Sequence, residues 1–96
     1  MPLYVVRHHH EASRCPARHP AMGAMLLTHL GPESATAHGV TVHAKVMVDG
    51  EHTLCMIVDA ADPAVVQQFM APFGQLGEVM IQPATSCEEV VARGFD

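Results

Sequence analysis

Four stretches of the chain carry the apolar patterning of β-strands. Residues 3–9, Leu-Tyr-Val-Val-Arg-His-His, are rich in β-formers and predict the first strand. Val40, Val42, Ala44, Val46 and Val48 alternate with Thr41, His43, Lys45 and Met47, which predicts a strand with one apolar face. Asp49-Gly50 is a strong hairpin signal, and residues 53–59 are the returning strand. Residues 78–83 supply the last strand. Helical spacing fills the gaps. Met22, Met25, Leu26 and His29 predict a helix over 21–30 that Gly31-Pro32 ends, and 32–38 form a second short turn of helix before Gly39. Asp62-Pro63 reads as a cap and first helical position, with Val65, Val66, Phe69, Met70 and Phe73 on one side of a helix over 63–73. Ser86 caps a terminal helix over 87–93, whose first turn carries Glu88 and Glu89. Residues 11–20, with Cys15-Pro16 and His19-Pro20, are expected to be a loop.

The order β-α-β-β-α-β predicts a single α+β domain over 1–96, of the ferredoxin-like βαββαβ type. Right-handed crossovers then give a four-stranded antiparallel sheet with the helices on one face. The other face is left uncovered, and on so small a domain that predicts a homodimer. Hydrophobic residues make up 49% of the chain and charged ones only 16%, which excludes disorder and leaves few charges to solvate a large free surface. The net charge is −5 with five Lys and Arg, so no basic stripe is present for nucleic acid. The opening Met-Pro-Leu-Tyr-Val-Val-Arg-His lacks the pattern of an export signal, and no apolar run approaches the roughly 20 residues that span a bilayer. The expectation is a cytoplasmic protein with no membrane partner. Three cysteines, an odd number, argue against a disulfide framework.

Histidine changes the picture. The chain has eight, beside seven Met, one Tyr and three Phe. His8 and His10 stand at i and i+2 where the first strand ends, so both project from one face. The following loop can fold Cys15 back toward them, with Pro16 stiffening the chain. Two imidazoles and a thiolate suit a divalent transition metal: Ni, Zn, Cu or Fe. His43 is the next candidate ligand, if its side of the strand is the uncovered sheet face, and it can also carry a proton near neutral pH. Glu11, His19 and His52 are lesser candidates, His52 being read as a solvated turn residue. His29 is expected to be a hydrogen-bonded core residue, Cys55 a core residue, Cys87 a packed residue at a helix start, and Met22 and Met25 core filler. No P-loop, G-x-G-x-x-G, Cys-x-x-Cys or His-Glu-x-x-His is present.

With the strand order and histidine cluster in hand, Pro2-Leu3-Tyr4-Val5-Val6-Arg7-His8, Val48-Asp49-Gly50 and Asp59-Ala60-Ala61-Asp62-Pro63-Ala64-Val65 become informative together. Through them the chain resembles the dimeric α/β-barrel group of small ferredoxin-like proteins, and in particular its small bacterial nickel-binding members. The resemblance implies the fold and a bound metal. It equally admits monooxygenases, isomerases and haem-handling enzymes, which the group also contains. The Cys15-Pro16 loop and the His8-His9-His10 triplet depart from the simple members and point to a local site.

Three functions follow. The first is a metal-binding protein with His8, His10, Cys15 and His43 as ligands. The second is a small monooxygenase or isomerase that uses His43 or His8 as general base in a sheet-face cavity. The third is a non-catalytic dimer module that binds another protein. Whether the chain is an enzyme is left open by these residues.

Overall fold

β1 (Leu3–His9), β2 (Thr41–Val48), β3 (Thr53–Asp59) and β4 (Glu78–Ala84) form one antiparallel sheet in the order β2-β3-β1-β4. They belong to a computed structural model that describes residues 2–94. The helices are α1 (Pro20–His29), α2 (Pro32–Ala37), α3 (Pro63–Phe69), α4 (Ala71–Gly74) and α5 (Cys87–Arg93). The result is the ferredoxin-like α+β arrangement expected from the pattern. No helix among the described residues is long and apolar enough to cross a membrane.

The helix boundaries follow local chemistry. Pro20, Pro32 and Pro63 each occupy a first helical position, where a missing N–H costs nothing. Asp62 accepts a hydrogen bond from the Val65 N–H at 3.2 Å, and Ser86 accepts one from the Glu89 N–H at 3.2 Å. Gly94 ends α5 at φ +77°, in the left-handed region that glycine enters without steric cost. The helix expected over 63–73 is two pieces, broken at Met70. Pro72 has no N–H to give and crowds the preceding turn, so the chain restarts as α4 with Pro72 in its first turn.

The core lies between the helices and one sheet face. Tyr4 and Val6 of β1 and Met56 and Val58 of β3 pack with Leu26, Leu30, Val66, Phe69 and Met70. Each such side chain contributes about 1.5–3 kcal/mol on burial. Met22 and Met25 are not core filler: they are 36% and 61% exposed, along a groove shared with Ala71, Pro72 and Leu76. Cys55 is also not core. It pairs with Arg7 and Val46, while its neighbours Leu54 and Met56 are the buried ones.

One irregularity reshapes the site. Val42 faces Val58 and Ala44 faces Ile57, so His43 is an extra residue in a β-bulge. An unbroken period of two would place Val40, Val42, Ala44, Val46 and Val48 together. The bulge instead exchanges faces at residue 43. Val40 is buried on the helix side, whereas Val46 is 59% exposed on the open side. Lys45 and Met47 turn toward the helices, in register with Met56 and Leu54.

Candidate metal centre

His8 and His10 project from the same face at the end of β1, as the i, i+2 spacing requires. That face is the helix-covered one. Their exposures are 1% and 4%, and their ring centroids are 5.4 Å apart. His10 lies one step past β1 and continues its ladder, because its N–H donates to the His52 carbonyl at 3.2 Å. His52 is the last residue of the β2–β3 hairpin loop and sits at φ +49°, the one non-glycine residue with positive φ among those described. Histidine enters this left-handed region more readily than β-branched residues do, although still at a cost. A chain of contacts holds the loop in place. The Thr53 hydroxyl donates to the Glu51 carbonyl at 3.0 Å, so its oxygen accepts from His9 Nδ1–H at 3.1 Å.

Cys15 reaches the same place from the loop. Residues 11–20 are not irregular throughout, because two 3-10 turns, Ala12–Arg14 and Pro16–Arg18, flank Cys15. Its N–H bonds the Ala12 carbonyl and its carbonyl accepts from the Arg18 N–H. Gly23 in α1 lets the helix close on this loop: a β-carbon there would stand 3.1 Å from the Pro16 carbonyl oxygen.

The outcome is a cluster. One ligand atom each from His10, Cys15 and His52 lie within 4.8 Å of one another, a group that can hold a metal ion. Both ring nitrogens of His10 are buried with no hydrogen-bond partner. An orphaned polar atom of this kind is uncommon, because each one costs about 1–3 kcal/mol when left unpaired. Burial lowers the pKa of His10, and the neighbouring His52 and His9 lower it further. Its ring is therefore neutral near pH 7 and has a lone pair to offer.

The other candidates are placed differently. His8 Nε2 donates to the Phe73 carbonyl at 2.8 Å, and its ring meets the Phe73 ring edge-on. Burial lowers its pKa, partly offset by that hydrogen bond. Its donor is thus committed, and it flanks the cluster. His43 stands apart. Its Nε2 pairs with Asp59 Oδ2 at 2.6 Å, and Asp59 is opposite Leu3, at the far end of the sheet from His9. Five strand positions, roughly 16 Å, separate the rows of Leu3 and His8. Glu11 and His19 are exposed and outside the cluster. His29 is the hydrogen-bonded residue expected, its Nε2 bonding the Phe69 carbonyl at 2.6 Å. Cys87 is exposed rather than packed, at the first position of α5.

His52 is the ligand candidate whose weight the sequence understates. The signal for it is strand register. His8 pairs with Leu54 and His9 with Thr53, so His10 falls opposite His52. That register is set by the packing of β1 on β3, which the pattern of either strand alone does not specify.

A cavity of about 420 Å³ opens beside the cluster, between α1 and the helix-side face of the sheet. His8, His10 and Cys15 are on its wall, with Leu26, Leu30, Leu54 and Phe73. It is on the covered side of the sheet rather than on the open face.

Fold and site together define a small ferredoxin-like α+β protein with a histidine–cysteine group at one end of its sheet. The chain belongs to the family described as "Domain of unknown function (DUF3303)", whose model matches residues 2–94. No curated protein matches it.

Proposed function

We propose that this protein binds one divalent transition metal ion through His10, Cys15 and His52. The observation that carries this reading is the buried His10 ring, with neither nitrogen paired, facing a thiol and a second imidazole. Ligand atoms around a tetrahedral ion stand roughly 3.5 Å apart at bond lengths of about 2.0–2.3 Å. Small side-chain rotations close the present separation of up to 4.8 Å to that value. Two imidazoles and a thiolate accept Zn, Ni, Cu or Fe. The likeness to nickel-binding small proteins noted above keeps nickel among them. His8, held to Phe73, steadies the cluster from behind, and His43 serves the fold through Asp59.

The test is elemental analysis of untagged protein purified without a metal-affinity step. The expected result is close to one equivalent of metal per chain, lost on Cys15→Ser or His10→Ala and kept on His43→Ala. Metal-free protein that takes up no added Zn, Ni, Cu or Fe would overturn the reading.

A second reading rests on His8. Its Nε2–H is spent on Phe73, which leaves an unprotonated Nδ1 on a ring that borders an apolar cavity. In that reading the protein is a small enzyme of the monooxygenase or isomerase type with His8 as general base. It predicts that apolar small molecules stabilise chelator-treated protein, and that His8→Ala abolishes turnover without loss of metal.

In either reading we take the protein to be a homodimer. The support is the open sheet face, where Val46, Ile57 and Met80 are 59%, 43% and 55% exposed. Sedimentation at micromolar concentration tests it, with Ile57→Lys expected to shift a dimer to monomer.

A further inference from the structure

The cluster and the cavity share a wall. His10 and Cys15 belong to both, so the cavity is the space adjoining an ion that has three protein ligands there and one coordination position left over. Structural zinc sites fill all four positions with side chains, whereas three-ligand sites keep one for an exogenous group. The walls are apolar, from Leu26, Leu30, Leu54 and Phe73, and the volume of about 420 Å³ is in the range that takes a small organic ligand. Leu27 and Met47, also on its lining, are 62% and 50% exposed, apolar surface that a bound molecule would cover.

Charge narrows the ligand's chemistry. A divalent ion with one thiolate and two neutral imidazoles keeps one positive charge. Lys45 adds another on the same cavity. The bulge at His43 turned it to this side, and its Nζ reaches only the Leu30 carbonyl at 3.4 Å, with no carboxylate beside it among the described residues. Lys45 lies toward the Leu30 end of the cavity and the cluster toward the other, so the charge of the ion alone selects an anionic head on an apolar body.

We infer that the cavity binds an alkyl or aryl carboxylate, whose carboxylate oxygen takes the open position of the metal held by His10, Cys15 and His52. This inference rests on the metal reading above. The head group lies at the ion, and the chain or ring lies along Leu26, Leu30 and Leu54.

Cobalt-substituted protein tests both levels separately. Added Co(II) should give visible d–d bands with a thiolate charge-transfer band that Cys15→Ser removes. Octanoate should then shift the d–d bands saturably, at least about tenfold tighter than acetate, because its longer chain buries apolar surface. Octan-1-ol should leave the bands unmoved at the same concentration. If cobalt binds with the expected spectrum and octanoate does not alter it, or acts no better than acetate, the carboxylate pocket is refuted and the metal site stands. If octanoate stabilises chelator-treated protein equally well, the open coordination position is refuted. If no thiolate–cobalt spectrum forms, the metal reading fails and the inference fails with it.

Discussion

Gly77 passes so close to His9 that a β-carbon on it would lie 2.0 Å from the His9 carbonyl oxygen and 3.0 Å from the Cα of His10. No side-chain rotation relieves such a contact, because every atom involved is backbone. The glycine that leads into β4 is therefore part of what positions His10. Gly77→Ala should destabilise the fold by about 1–3 kcal/mol, the usual range for forced overpacking. It should also weaken metal binding at least about tenfold by moving the His9–His10 peptide. Thermal unfolding and zinc titration of the same variant check both. A variant with unchanged zinc affinity would separate the glycine from the site.

The unpaired His10 ring makes a prediction that runs against ordinary core mutagenesis. In metal-free protein, His10→Leu removes two buried unsatisfied nitrogens and keeps an apolar body of comparable reach. It should leave stability unchanged or raise it by about 1–2 kcal/mol. With metal the order reverses. The parent gains about 2.7 kcal/mol at a ligand concentration a hundredfold above Kd, and the variant gains nothing. Denaturation with chelator and with excess zinc measures both signs. A variant less stable than the parent in chelator would mean that His10 is satisfied by contacts other than a metal.

The strands were legible because alternation and the Asp49-Gly50 turn are local signals, and the caps at Asp62 and Ser86 are equally local. The βαββαβ order follows from them. What the pattern did not carry was non-local. The bulge at His43 has no marker of its own in an even valine alternation, and it decides which face Lys45, Val46 and Met47 take. The break at Met70 was marked by Pro72, which the apolar stripe through Phe73 obscured. For the site, the i, i+2 spacing brought His8 and His10 to one face. The partnership of His10 with His52 depends on the pairing of β1 with β3, a contact 42 residues apart in the numbering of the pair His10–His52.

His52 combines a ligand position with a backbone conformation that favours glycine. The two roles can be pulled apart. A β-carbon in the left-handed region costs about 1–2 kcal/mol, which glycine avoids. His52→Gly should therefore be more stable than His52→Ala by about 1 kcal/mol in metal-free protein. Both variants should lose zinc binding to the same extent. Urea unfolding ranks the stabilities and competition with a zinc-sensitive dye ranks the affinities. Equal stability of the two would show that the loop relaxes out of the left-handed region once the ring is gone.

The depressed pKa values of His8 and His10 fix the sign of the pH dependence of the metal-free fold. In both, burial is the main cause, and in the unfolded chain both rings titrate near 6.5. Above pH 6.5 both are neutral in either state, so the fold has its full stability. As the pH falls below 6.5, the unfolded chain binds protons that the buried rings refuse. Stability then declines until the pH passes the lowered folded values, by up to about 1.4 kcal/mol per pH unit for each histidine. Urea denaturation in chelator at pH 8, 6 and 5 should show a flat upper limb and a falling lower one. His10→Leu removes one of the two protons, so the slope between pH 6.5 and 5 should become shallower. Zinc should deepen the decline in the parent alone, because protons and metal compete for the same His10 nitrogen and release of the ion removes its stabilisation. A parent and variant with the same slope, with and without zinc, would place the proton uptake on exposed histidines and detach His10 from the metal.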